Sequence, residues 1–181
     1  MKQLALAFFS RDTVTVAKEL LGKVIEANGF RGRIVETEAY GDDKASHART
    51  RTERSAVMHD TYGHVYVYLI YGMYHCLNFT SSREPGAVLI RAVEPLNNFE
   101  VLQQRRKTTT LTNLCSGPGK VCQAFAIDKS FSGAKLGGKI KVFDDGFVVK
   151  NMGKSKRIGI KEDVHLEWRF FIERNEFVSR K

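Results

Sequence analysis

GRIVETEAY (Gly32 to Tyr40) and VYVYLIYGMYHCLN (Val65 to Asn78) are two runs rich in β-branched and aromatic residues, separated by a polar, basic stretch carrying His47, Arg49, Arg51 and Arg54. Both read as strands. In an extended Arg33 to Tyr40 the side chains alternate, so Ile34, Glu36, Glu38 and Tyr40 share one face and Val35, Thr37 and Ala39 the other. Taken alone, such a carboxylate pair reads as the solvated acidic face of a strand. In Val65 to Ile70, Tyr66 and Tyr68 fall on one side and Val65, Val67 and Leu69 on the other, as in a strand whose faces meet different surroundings. Tyr71-Gly72 breaks the run, and an aromatic followed by Gly can project from a turn. Carboxylates, a histidine and clustered phenols are the materials of a site that stacks a flat ligand and hydrolyses a bond in it.

On the N-terminal side, Asp12 or Thr13 can cap a helix that packs Val16, Ala17, Leu20 and Leu21 and stops at Gly22. Lys23 to Ala27 reads as a strand, Asn28-Gly29 as a turn, and Arg31 to Ala39 as the continuation or hairpin partner. On the C-terminal side, Tyr74 to Thr80 and Ala87 to Val93 read as strands joined by a turn over Ser81 to Gly86. Arg91 stands between Ile90 and Ala92, where burial is costly unless it meets an anion or acceptors. A helix is expected over Asn98 to Arg106, with Arg105-Arg106-Lys107 at its C-terminal end. After a Thr-rich linker, Pro118 can open a helix whose apolar side includes Val121, Cys122 and Phe125. Free N–H groups at its start, with Lys120, can bind a phosphate or simply be capped. Leu114 and Val121 rule out a P-loop there. Lys139 to Phe177 alternates enough for several strands with cores KVF, FVV, RIGI and EWRFFI, and Lys150, Lys154, Lys156 and Arg157 read as a solvated basic cluster.

The 181 residues, 43% hydrophobic, suffice for one well-cored domain and are short for two, so a single domain over residues 1–181 is expected. The formal charge of +9 suits a polyanionic partner, because Lys and Arg displace counterions from phosphates; a basic surface without such a partner explains it equally well. Three cysteines, an odd number, fit a reducing compartment. Arg11 and Asp12 follow MKQLALAFFS where a signal peptide needs a small-residue cleavage site, and no run approaches the ~20 apolar residues of a membrane span. His47, His59, His64, His75 and the cysteines match no zinc spacing, so no metal or other cofactor is expected.

A serine hydrolase lacks its G-x-S-x-G elbow here. Two carboxylates two residues apart on a strand lie roughly 6–7 Å apart, within the range of inverting glycosidases, which keeps a carbohydrate hydrolase using Glu36 and Glu38 open. A non-catalytic nucleic-acid-binding module is equally compatible with the charge and the aromatics. The acid near the rings separates these readings. A binder of phosphates has no use for a carboxylate in its stacking pocket, whereas a hydrolase needs one to activate water.

GRIVETEAYG, the A-S-H of Ala45 to His47, the T-x-R of Thr52 to Arg54, GHVYVYLIYGMYHCLN, AVLIRAVEPL, SGPGKVCQAFAI, RIGI and WRFF, in this order, resemble the alkyladenine (3-methyladenine) DNA glycosylase family over nearly the whole chain. The resemblance implies an α+β fold, a single domain with a curved, mostly antiparallel sheet (a roll) flanked by helices. It implies a monofunctional enzyme that flips alkylated or deaminated purines out of duplex DNA and hydrolyses the N-glycosidic bond, without lyase activity. By residue, it makes Glu38 the general base and Arg91 the arginine beside the attacking water. Tyr40 and His47 correspond to one side of the flipped base, Tyr68 to the other, and Asn78 to the pocket edge. Tyr71 corresponds to the wedge, with Gly72 and Met73 beside it, and Arg49, Arg51, Arg54 and Lys120 to DNA contacts; Glu36 carries only a structural role. The implied partner is double-stranded DNA with damaged purines, met by a monomer in the cytoplasm or nucleoid of a bacterium or archaeon, or in a eukaryotic nucleus. Thr50, Ser55 and His59-Asp60-Thr61-Tyr62 depart from the family pattern, all in the loop between the two strands.

Overall fold

The computed structural model describes residues 1–81 and 85–179. In chain order these form β1 (Lys2–Gln3), α1 (Thr13–Glu19), β2 (Val24–Ala27), β3 (Phe30–Tyr40), α2 (Ala56–Asp60), β4 (Val65–Ile70), β5 (Tyr74–Ser81), β6 (Gly86–Pro95), α3 (Phe99–Arg106), α4 (Pro118–Phe125), β7 (Ile140–Asp144), β8 (Met152–Ser155) and β9 (Arg169–Ile172). The expected turn at Ser81 to Gly86 lies, for residues 82–84, outside the described residues. The fold is α+β. Its strands join into one antiparallel sheet in the order β1-β7-β2-β3-β6-β5-β4, with β9 pairing β3 and β8 pairing β9. Among the described residues no helix is long and apolar enough to cross a membrane.

Local chemistry sets the element ends. Asp12 accepts a hydrogen bond from the Thr15 N–H at 2.8 Å and so caps α1. Asn28 and Gly29, at φ of 52° and 80°, make the tight turn between β2 and β3, with both central residues left-handed. Pro118 occupies the first turn of α4, where its missing N–H costs nothing. One side of the sheet packs on the helices through a core that includes Val16, Leu20, Ile34, Val67, Leu77, Ile90, Leu102, Val121 and Phe125. At the end of α3 the two arginines do more than complement the helix dipole, since Arg105 donates to the Ala124 carbonyl and Arg106 to that of Leu114.

Strand β3 changes partners along its length, and this curls the sheet. Residues 30–33 pair with β2, whereas residues 36–38 pair with β9. Between the two stretches the register with β6 slips at Ile34/Glu36 and again at Glu36/Thr37. Such irregularities bend a strand and re-aim its side chains. They also correct the alternation expected for this strand. Ile34 lies in the main core, on the side where Thr37 donates to the Ala17 carbonyl at 2.8 Å, while Val35 joins Ala92 and Val178 in a separate cluster. Glu36, Glu38 and Tyr40 keep a common face, without Ile34.

The tail differs from its expected pattern in two places. KVF and RFF are strands, but FVV (147–149) and RIGI (157–160) are not. Asp144 and Asp145 accept hydrogen bonds from the Gly146 and Phe147 N–H groups, which turns the chain, and the Phe147 ring lies under the Arg33 guanidinium. RIGI is a turn around Gly159 at φ 81°. Its Arg157 does not belong to a solvated cluster: the side chain is fully buried and binds Asp43 at 2.7 Å and the Ala39 carbonyl at 3.0 Å.

Candidate active site

The face of β3 that carries Glu36, Glu38 and Tyr40 is not solvated, and both glutamates are fully buried. Glu38 accepts through Oε1 from the Ile158 N–H at 2.8 Å, and through Oε2 from the Tyr40 hydroxyl at 2.8 Å and from Arg91 Nη1 at 3.5 Å. Burial pushes the Glu38 carboxyl above the ordinary carboxylate range, opposed by the Arg91 cation and by the Ile158 and Tyr40 hydrogen bonds. Tyr40 is raised as well, first by burial and then by the Glu38 charge, so its phenol stays protonated and donates. Arg91 reaches this position because β6 carries it between Ile90 and Ala92, the residues opposite Thr37 and Glu36 at the register shift.

A cavity of about 510 Å³ opens in front of these groups, lined by Tyr40, His47, Arg54, Tyr68, Cys76, Arg91, Pro118 and the 158–162 loop. Glu38 does not itself border it. The three groups that hold Glu38 do, so the carboxylate lies one layer behind the wall. Tyr68 meets the His47 ring edge-to-face with centroids 4.8 Å apart, and His47 Nδ1 lies 2.9 Å from the Tyr66 hydroxyl. This packing leaves no gap of ring thickness between His47 and Tyr68. His47 is shifted down, by burial first and the Arg54 charge second, which favours neutral imidazole. Burial also pushes the Cys76 thiol up to about 11. Asn78 is fixed at the edge of this wall by donating to the Tyr66 and Cys76 carbonyls.

The basic residues separate into different places. Arg54 turns into the cavity with its guanidinium 5.1 Å from the Tyr68 ring centre. Arg51 pairs with Asp60 at 2.7 Å on the surface, and Arg49 is exposed nearby. Tyr71, Gly72 and Met73 form the tip of the β4–β5 hairpin, with Tyr71 at φ 53° and 76% exposed. Lys120 lines a neighbouring groove of about 480 Å³ together with Tyr71, Tyr74 and Arg106. Its ammonium is not free, because it donates to Asn113 and to Ser116.

Several contributors escaped sequence reasoning. Ile158 acts through its backbone N–H, which no residue type signals. The Asp43–Arg157 pair holds the turn that presents it, and the Arg157 guanidinium lies 4.7 Å from the Tyr40 ring centre. Cys76 and Arg169 lie inside quoted motifs but were given no role, and Ser179 lay in none; for Ile158 the nearest signal was the Gly of RIGI, which marks a turn rather than a strand.

A carboxylate and an arginine buried behind an aromatic cavity on a curved antiparallel sheet are an arrangement that suits a hydrolase, which needs a base to activate water. The particular family follows from comparison with known proteins: residues 7–176 match methylpurine-DNA glycosylase (MPG), and the chain belongs to that family. Relatives carrying the name "Putative 3-methyladenine DNA glycosylase" include one from Clostridium novyi (strain NT), 43% identical with full coverage of both chains. A second, from Clostridium perfringens (strain 13 / Type A), is 44% identical over 99% of this chain and 100% of its own. A third, from Rhizobium etli, is 46% identical over 96% of this chain and 87% of its own.

Proposed function

We propose that this single domain is a monofunctional DNA glycosylase that turns damaged purine nucleotides out of the duplex and hydrolyses their N-glycosidic bond, with Glu38 as general base. The observation that carries the reading is the placement of Glu38: three donors that line the cavity, Ile158, Tyr40 and Arg91, also hold its carboxylate. They occupy three of about four acceptor sites of a carboxylate, leaving one for a water. A raised pKa makes an ionised Glu38 the stronger base, and Arg91 offsets the charge that must persist for it to act.

The leaving group explains why so little else is needed. A purine methylated at N3 or N7 is cationic and departs without strong acid assistance, and its ring suits the electron-rich faces of Tyr40 and Tyr68. Because His47 and Tyr68 touch, base entry requires these rings to part or the base to use the outer face of Tyr68, now covered by Arg54. Tyr71 and Met73, apolar and exposed beside the cavity, are suited to fill the gap a flipped base leaves, which offsets part of the unstacking cost of a few kcal/mol. Arg49, Arg51 and Lys120 are then contacts to the DNA backbone. Action as a monomer on chromosomal DNA in the cytoplasm belongs to the same proposal; the bacterial sources of the relatives fit that compartment.

The alternative roles fit the geometry less well. A carbohydrate hydrolase would use Glu36 and Glu38 on opposite sides of a sugar, but Glu36 faces Arg169 and Ser179 rather than the cavity. Release of free methylated or deaminated bases from methylated and inosine-containing duplexes, identified by mass, tests the proposal. The expected result is free purine and intact abasic strands; strand cleavage or no release counts against it.

A further inference from the structure

Glu36 shares the face of Glu38 without reaching the cavity, and its surroundings are unusually complete. Its Oε1 accepts from Arg169 Nε at 2.6 Å and from the Ser179 hydroxyl at 2.9 Å, and its Oε2 accepts from the Ser179 N–H at 2.8 Å. Arg91 Nε lies 3.3 Å from Glu36 Oε1 and donates to the Ser179 hydroxyl, also at 3.3 Å. The same guanidinium offers Nη1 to Glu38. Arg91 is thus held through Nε by Glu36 and Ser179, so its Nε side is turned away from Glu38, which it meets through Nη1.

We propose that Glu36, backed by Ser179 and Arg169, is a positioning residue that divides Arg91 between two carboxylates and so prevents it from clamping Glu38 in a two-bond pair. The inference rests on the reading of Glu38 as the base. An arginine with a single carboxylate partner frequently takes it through two parallel N–H bonds. That arrangement would consume the acceptor site on Glu38 intended for water and weaken it as a base. The loose 3.5 Å contact of Arg91 with Glu38, against 2.6 Å for Arg169 with Glu36, is the geometry of a guanidinium kept from closing. Groups facing Glu38 are Glu36 and Tyr40 on its own strand, Arg91 on β6, Tyr68 on β4, Cys76 on β5 and the Ile158 N–H. Among them Glu36 is the other carboxylate; burial is what chiefly raises the Glu38 pKa, and the Glu36 charge adds a smaller push in the same direction.

The sign of the effect follows. Removing the Glu36 charge and releasing Arg91 both stabilise ionised Glu38, so the acid limb of the pH–rate profile moves to lower pH while the rate on the plateau falls. The experiment measures single-turnover base release from methylated duplex DNA across pH for the parent, Glu36→Gln, Ser179→Ala and Ser179→Thr, with DNA affinity and melting recorded for each. Glu36→Gln is expected to lower the plateau rate about tenfold and shift the limb downward at unchanged affinity. Ser179→Ala should move both in the same direction by about threefold in rate, and Ser179→Thr should restore them. If Glu36→Gln does not fold, the Ser179 pair decides. Folded Glu36→Gln or Ser179→Ala proteins with the parent's rate and acid limb overturn the proposal. Glu38→Gln separates the two levels: loss of excision there beside an unmoved Glu36→Gln profile breaks only the positioning role, whereas continued excision breaks the reading of Glu38 as base.

Discussion

The floor and the rim of the cavity are built on opposite terms. On the floor, Tyr40 and Arg91 hold Glu38 just behind the cavity wall across β3 and β6, and the turn at Ile158 closes the set from a third direction. On the rim, Tyr71 and Met73 stand exposed, Arg49 is exposed and Arg51 makes a surface ion pair. On the proposed function the difference is a division of labour: groups that would have to sit in one geometry are fixed before substrate arrives, while groups that would follow a deformable duplex are left to adjust. It also predicts that changes on the floor act on rate or stability, and changes on the rim on binding and on which lesions are taken.

The largest effect belongs to Glu38. Glu38→Gln should lower base release by about 10²–10⁴-fold, the range for removing a general base, and leave affinity for abasic-analogue DNA intact. In the parent, activity should fall as pH drops through a Glu38 pKa above the ordinary glutamate value of ~4.3. For stability the sign is opposite. A carboxyl raised in the folded state gives its full stabilisation below its unfolded pKa and loses it as pH rises through the folded value, so ionised Glu38 is a burden near neutrality. The melting temperature of Glu38→Gln at pH 7 should therefore not fall. A sharp fall, or retained excision, would break the comparison at its strongest point.

The next effect tests the third wall of the floor. Asp43 and Arg157 are 1% and 0% exposed at the side chain, and breaking such a pair from one side typically costs about 3–5 kcal/mol. Asp43→Asn should therefore melt well below the parent. Because Arg157 anchors the turn that presents Ile158, excision by the folded fraction should fall too. A variant that melts lower but excises at the parent's rate would show that the turn holds Ile158 without this pair.

How much of this was legible in the sequence depended on whether side-chain type or backbone geometry carried the information. Alternation in Val65 to Ile70 set Val65, Val67 and Leu69 opposite Tyr66 and Tyr68; the two valines lie in the main core and the tyrosines in a separate cluster, while Leu69 is exposed near the strand's end. Arg91 between two apolar residues called for an anion or acceptors if buried, and two glutamates meet it there. Ile34 was misplaced because a register shift leaves no trace in hydrophobic pattern: both faces of β3 are buried, so either assignment looks apolar. RIGI looked like a strand because Ile, Gly and Ile alternate acceptably; its role as a turn depends on Arg157 finding Asp43, a pairing over a long sequence separation. The same limit hid Ser179, whose contribution to Glu36 is partly a backbone N–H.

At the rim the effects shrink. Tyr71 adopts a left-handed conformation uncommon for a bulky residue, which holds its ring outward at the hairpin tip. Tyr71→Ala should lower excision of lesions in stable pairs by about tenfold, and lesions in weak mismatches by less, since the wedge offsets unstacking. Equal losses on both would detach the hairpin from flipping.

The smallest effect is the one that bears most on substrate choice. Arg54 comes from the rim loop yet lies over Tyr68 inside the cavity, taking the position where a cationic purine would be attracted to the ring. A methylated purine must compete with that guanidinium for the same aromatic face and is repelled by it, whereas neutral hypoxanthine can accept hydrogen bonds from it. Arg54→Ala should therefore raise excision of 7-methylguanine relative to hypoxanthine by about three- to tenfold, the scale of one partly buried cation–π contact. The ratio of kcat/KM for the two lesions in matched duplexes checks it. An unchanged ratio would mean that Arg54 leaves the cavity for the phosphate backbone before either base arrives, which would return it to the rim with Arg49 and Arg51.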